Sequence, residues 1–500
     1  MECVLAIDLG TGGPKVALVG ADGATLAWAL APVATAMLPD GGAEQDPHEM
    51  WSAVVAATRE VMASVTSQRI VAIAVTSQYM STVPIAADGT PTGPSILWMD
   101  TRGAAHNRTL LREDTFGLFV ERHGLVPLPS GHDNVAHAHV LQSFHPEAYA
   151  NANALVEPMD YLTARLTGRV TATQSTVFGQ LACDNRVWGS TDYDPVLVAA
   201  TGLDPSKLAP LVPMNSIVGG LTGAAAAELG VAAGTPVVAG TIDSITSAVG
   251  SGALGPAGGS VIIGTTSVLV THIGQHRGDI RAGVLAVPSP LEGMYYVMAE
   301  NGLGGRAFEW ARQFLGYADV ESALADAAAV RSDGVQFLPW MLGSGAPSPN
   351  DDVRGAYVGL SLHHDRRHAM RATLEGVALN LAWLLPAVET FVGSPFEFLR
   401  FGGGGAQSPL WAQLLADALD RPVHRLADAR TTNARGAAFL AFAAVGRLRL
   451  ADVPAMLHTA EVHRPDPQRR EPVRQALARH VALHAALNPS PPSPPSPSST

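Results

Sequence analysis

Apolar positions at the start of the chain run in short blocks rather than at helical intervals. Val4–Leu9, Lys15–Val19 and Thr25–Leu30 read as three strands joined by tight turns. Asp22-Gly23 marks the last of these turns, since Gly accepts the positive φ a hairpin requires. The period then changes. Asp46-Pro47-His48-Glu49 reads as a helix start with an N-cap and a first-turn proline, and Met50, Trp51, Val54, Val55, Val61 and Met62 recur at helical spacing behind it. Ile70–Val75 is a continuous apolar run, suited to a strand buried on both faces.

From about residue 259 the same grammar begins again. Ser260–Ile263 leads through Gly264-Thr265-Thr266-Ser267 into Val268–Val270, as Ile7–Leu9 leads through Gly10–Gly13 into its own second strand. This repetition predicts two similar halves facing each other. Later, Phe398–Phe401 enters Gly402–Gly405, and a helix with apolar Leu410, Trp411, Leu414, Leu415, Ala418 and Leu419 on one face starts at Ser408-Pro409. Strands alternating with helices indicate an α/β protein. The last twelve residues hold six Pro, five Ser and one Thr, a composition that predicts disorder.

Composition narrows the chemistry. A chain of 500 residues, 47% hydrophobic, can form two large domains sharing a cleft. Its 32 basic against 44 acidic residues, a formal −12, argue against a nucleic-acid binder. Only two of the basic residues are lysines, Lys15 and Lys207, and neither stands in Gly-Lys-Ser/Thr or Val-Ala-Ile-Lys. The P-loop and protein-kinase routes to ATP are therefore excluded. Two cysteines, Cys3 and Cys183, make neither a disulfide framework nor a four-cysteine zinc site. With no basic-then-apolar leader and no uninterrupted apolar run of 18 residues, the sequence predicts a cytoplasmic protein without a membrane partner.

Four places carry candidate chemistry. Asp8-Leu9-Gly10-Thr11-Gly12-Gly13-Pro14-Lys15 is either a plain glycine hairpin or a phosphate cradle, with Lys15 for charge and Asp8 for Mg²⁺. Gly264-Thr265-Thr266 could be its counterpart, and alone is a simple turn. Gly402-Gly403-Gly404 lets a ligand approach the backbone closely, or is only flexible. Asp243, after the apolar strand Pro236–Ala239, is either a helix N-cap or a general base. His137/His139 and His363/His364/His368 have metal-like spacing without nearby Cys or an acidic trio and read as surface histidines. Gly250-Ser-Gly252-Ala-Leu-Gly255 follows a helix rather than a strand, so it is no dinucleotide fingerprint.

In this order, and with Glu44-Gln45-Asp46-Pro47, Ser77-Gln78, Ile96–Arg102, Asp160-Tyr161-Leu162, Phe337-Leu338-Pro339 and Leu374-Glu375-Gly376, the pieces resemble the FGGY carbohydrate kinases, nearest the xylulokinase branch. The resemblance implies two ribonuclease H-like domains of the actin-like ATPase and sugar-kinase type around a central cleft. The boundaries it suggests are 1–250 and 257–447, then a helical extension 448–488 and the tail 489–500. It implies ATP and Mg²⁺ as cofactors, a small sugar or polyol substrate, and is compatible with a homodimer. It assigns Asp243 as catalytic base, Asp8 to the metal, and Thr11, Gly12, Lys15, Thr265, Thr266, Gly402, Gly403, Gly404 and Ser408 to the nucleotide. Gln78, Tyr79, Met80, Asp100, Asp243 and Ser244 fall to the substrate.

The chain also departs from the pattern. Tyr79-Met80 stands where xylulokinases have Met-His, Ser244 where Asn or Gln follows the base, and Gly343-Ser344-Gly345 where the family has Gly-Glu-Arg. His137 falls at the signature lysine. These departures leave a second reading open, a catalytically silent nucleotide- or sugar-binding regulator on the same scaffold. An actin-like filament or chaperone ATPase would share the loops.

Overall fold

The hairpins expected near the start of the chain and again from about residue 259 set the architecture. The computed structural model describes residues 1–64 and 68–487, so the Pro/Ser segment 489–500 lies outside the described residues. In the first lobe, Glu2–Gly10, Gly13–Gly20 and Thr25–Leu30 form an antiparallel meander, and Arg69–Ser77 adds parallel to Glu2–Gly10 on its other side. Pro236–Val238 continues the sheet in parallel, and Ile217–Gly220 closes its edge antiparallel. In the second lobe, Gly259–Ile263, Thr266–Ile273 and Tyr295–Leu303 repeat the meander, and Leu399–Gly402 and Val423–Leu426 the parallel pair. The duplication suggested by two Gly-Thr turns is thus a duplication of whole sheets.

Alternation along each strand decides what each face meets. Cys3, Leu5, Ile7 and Leu9 point into the large first core beneath the helix Pro47–Ala63. Val4 and Ala6 point the other way, into a small alanine-rich layer with Ala72, Ala74, Ala434, Ala437, Ala438 and Ala441. The last four belong to the helix Thr432–Ala444, far along the chain, which lies on the first lobe's sheet. Small residues on both sides let helix and sheet approach closely.

That helix also crosses Asp243–Gly250, with Gly250 against Gly436. A Cβ on either glycine would run into a backbone carbonyl of the other helix, Thr432 or Thr246. Gly436→Val is therefore expected to cost about 1–3 kcal/mol, seen as a lowered Tm by calorimetry. An unchanged Tm would contradict this crossing.

The second core gathers around the 27-residue helix Arg366–Val392, which is long and apolar enough to cross a membrane yet is mostly buried within its lobe. The extension after 447 is not only helical: Thr459–His463 pairs with Val423–Leu426 and forms the last strand of the second sheet, because the parallel strand before it leaves an open edge. The helix Arg470–Leu487 then packs against the second lobe, where Gln336 Nε2 donates to Ala476 O at 2.7 Å.

Candidate functional site

Strand register alone brings the acidic candidates together. Asp8 pairs with Thr76, and Thr76 with Thr241, so the three form one row near the carboxyl ends of their strands. Asp243 lies two residues beyond that row. It is the first residue of its helix, with Ile242 at the cap position, so the N-cap alternative does not apply. Its carboxylate is left to the cleft, with Ser244 Oγ at 3.4 Å. Burial first, then the Asp8 and Glu300 carboxyls, lift its pKa from the usual 3.8 to about 7.

Turn geometry fixes the first loop. Gly10 pairs with Gly13, leaving Thr11-Gly12 as a two-residue turn that places Lys15 opposite Asp8, Nζ to Oδ2 at 3.8 Å. Gly13 has φ of +124°, and a Cβ there would meet Ala31 O. Gly12 is exposed, and a side chain at its position would meet nothing within 4 Å, so an anion can reach its backbone N–H. Burial raises the Asp8 pKa, while Lys15 and the Asn433 side chain pull it down. The other lysine serves structure: Lys207 Nζ donates to Ala150 O and Ala152 O at the end of the helix Pro146–Asn151.

The second and third loops lie side by side at the matching edge of the second sheet, since Gly259–Ile263 and Leu399–Gly402 are adjacent parallel strands. Gly264 O and Thr265 O accept from Gly305 N and Arg306 N at the start of the helix Gly305–Phe314, which holds the turn in place and leaves Thr265 exposed. Thr266 already belongs to the next strand. Gly403 has φ of +81° and sits against Ile263 O, whereas Gly404 is exposed and open.

Several predicted residues turn out to be committed elsewhere. Ser408 is buried and its hydroxyl accepts from Trp411 N, so it caps the helix Pro409–Leu419 rather than facing a ligand. Asp100 is fully buried and saturated: it accepts from Ala43 N and Arg102 N and pairs with the Arg102 guanidinium, leaving no lone pair for a sugar. Thr11 Oγ1 donates to Gln78 Oε1 at 2.6 Å and accepts from Trp98 Nε1, while Gln45 Nε2 bonds both Thr11 O and Thr35 Oγ1. Gln78 and Thr11 thus join the hairpin to the neighbouring wall of the cleft. The Glu-Gln-Asp-Pro stretch divides its labour: Glu44 pairs with Arg102, Gln45 binds Thr11, Asp46 caps and Pro47 begins the helix.

Tyr79, Met80 and Ser244 remain half-buried at the cleft. Met80 has φ of +52°, a left-handed conformation that costs an L-residue about 1–2 kcal/mol. Beneath it the buried Glu157 accepts from Ser81 N. Across the cleft stand Met298, Tyr296 and Glu300 of the second lobe, none of them singled out from sequence, although a charged Glu300 inside a strand was a signal. Trp98 and Asn433 were missed as well.

The histidine clusters do not build a second centre. His137 is buried beside Thr82, and His139 stacks on His106. His363 and His364 do meet an acidic partner, Asp333, with ligand atoms within 4.8 Å of one another. His364 Nδ1, however, accepts from Ser361 N, so Nε2 carries the proton and donates to Asp333 O in a hydrogen-bonded turn.

Comparison with known proteins identifies the family and the fold. Residues 3–250 match the FGGY family of carbohydrate kinases, N-terminal domain, and residues 259–445 the C-terminal domain of the same family. The chain is 25% identical to a gluconokinase from Bacillus licheniformis over 97% of this chain and 96% of that protein. It is 26% identical to a xylulose kinase from Staphylococcus epidermidis, with the same coverage. The solved structure of a xyloylose kinase from Brucella ovis superimposes with a TM-score of 0.85 at 26% identity, covering 97% of this chain and 99% of that one.

Proposed function

The chain belongs to the FGGY family of carbohydrate kinases, and from that membership we propose that it transfers the γ-phosphoryl group of ATP to a hydroxyl of a small sugar or polyol, with Asp243 as general base. The observation that carries this reading is Asp243 itself. It is a carboxylate free of capping duty, on the first turn of a helix, beside the row that holds Asp8, with a pKa of about 7. A base poised near neutrality accepts a hydroxyl proton as attack proceeds and is not trapped by it. Phosphoryl transfer asks the protein mainly for positioning and charge neutralisation.

The loops supply both. The open backbone at Gly12 with Lys15, and the exposed Thr265 beside Thr266, hold the phosphates from opposite lobes, and Gly402–Gly404 receives the adenosine side. Gln78 ties the first hairpin to the sugar wall, so a sugar seated on Tyr79 and Met80 and a phosphate on Gly12 sense one another through Thr11. Asp8 fits a magnesium ion in its chemistry: it offers carboxylate oxygen, which hard cations prefer, and its burial disfavours a lone anion, a cost that a cation would offset. Bound there, the ion would offset the negative charge of the phosphates.

Only the ionised Asp243 accepts a proton. Sugar-dependent kcat/KM is therefore expected to rise with pH and to level off above about 7. An ADP-release assay against a panel of ketoses, polyols and sugar acids, at saturating ATP, tests both the activity and this profile. No turnover with any member would favour the silent regulator, and a flat profile across neutral pH would remove Asp243 from the role of base.

A further inference from the structure

The strand Tyr295–Leu303 divides its side chains between two environments. Tyr295, Val297 and Ala299 enter the second lobe's core. Tyr296 enters the core that contains the first lobe's sheet, and Met298 packs on it. Glu300 follows at the same two-residue period, in unbroken register from His272↔Tyr296 to Val268↔Glu300, and shares that face. The face looks across the cleft, where Tyr79 OH donates to Met298 Sδ at 3.1 Å. The carboxylates bearing on Tyr79 and Tyr296 are Asp243 and Glu300, one from each lobe.

Polar groups in this space lack good partners. Tyr296 is wholly buried, and its hydroxyl makes no well-aligned hydrogen bond, with only Ser244 beside it. The Tyr79 hydroxyl spends its proton on a thioether, a weak acceptor. Ser244 Oγ stands 3.4 Å from Asp243 and also neighbours the Tyr79 and Tyr296 hydroxyls. Such a set of hydroxyls and carboxylates donates to and accepts from alcohols. Lys15 already stands opposite Asp8.

Resting on the kinase reading, we propose that Glu300 is a sugar-binding residue supplied by the second lobe opposite Asp243, and that the two carboxylates select a neutral ketose or polyol and reject a sugar acid. Hydroxyls of a neutral substrate pair with both carboxylates and with Tyr296. A substrate carboxylate would meet like charge and satisfy neither, so selection comes from repulsion as much as from attraction. Burial raises the Glu300 carboxyl, and an anion beside it would raise it further at the expense of that anion's own binding.

Calorimetry on the intact protein at about pH 8, with D-xylulose and xylitol as neutral probes and D-gluconate as the anion, reads this preference without requiring turnover. A neutral probe is expected to bind at least about tenfold tighter than gluconate, and Glu300→Gln to narrow that ratio by a similar factor. Tighter binding of gluconate, a ratio unchanged in the variant, or no binding by any probe would overturn the proposal. The unsubstituted protein's own preference decides the matter if the variant fails to fold. Binding of a neutral probe without ADP release would overturn the kinase reading while the preference still supported Glu300.

Discussion

Replacing Asp243 by Asn is expected to lower kcat about 10³-fold while leaving the KM for ATP within about twofold. The substitution keeps the shape and removes only the capacity to take the sugar's proton. A second effect runs the other way. The Asp243 carboxyl has its pKa raised in the folded protein to about 7, above the usual 3.8, so the folded state binds that proton more tightly than the unfolded chain does. Stability from this group is complete at acid pH and falls as pH rises through that interval. Asn carries no such penalty, and the variant is expected to melt above the parent at about pH 8. Loss of turnover together with a gain in Tm, measured on the same preparations, separates a strained catalytic group from a structural one. A variant with full activity, or one that melts lower, contradicts the assignment.

Arg102→Met is expected to cost about 3–5 kcal/mol, the largest stability loss of any single substitution discussed. Arg102 is 3% exposed and its partner Asp100 0%. Its Nε and Nη2 both engage Asp100, and Nη2 also reaches Glu44, which His145 holds from the other side. Removing the guanidinium strands a buried carboxylate with only backbone donors. Lysine should rescue little, because a point charge cannot make the forked contact. Chemical denaturation measures the loss, and adding Asp100→Asn to the variant should restore part of it. A loss below about 1 kcal/mol would mean the pair behaves like an exposed one.

Asp100 also shows where sequence reading stops. The Ile96–Arg102 stretch was legible as a landmark near the cleft, but not which of its side chains faces the ligand space. The two-residue interval lets Arg102 fold back on Asp100, and it is Trp98 that reaches Thr11. Asp243 is the reverse case. Acidic residues at strand ends commonly cap helices, and only the assignment of Ile242 to the cap position frees it. Ser408, expected at the nucleotide, is seen to cap the helix Pro409–Leu419. The duplicated sheets were legible because a Gly-Thr turn between apolar strands is a local signal. Asn433, Tyr296 and Glu300 were not, because their place depends on which lobe a helix or strand face ends up meeting.

The helix Thr432–Ala444 lies on a sheet whose first strand is made more than 400 residues earlier. During synthesis the first sheet must therefore wait, its alanine face uncovered, until most of the second lobe has left the ribosome. At about 5–20 residues per second that interval is tens of seconds. A chain stopped between the two lobes would carry an unfinished layer with Val4, Ala6, Ala72 and Ala74 bare to solvent. The lobes look like repeats of one another, but they cannot be matured one at a time.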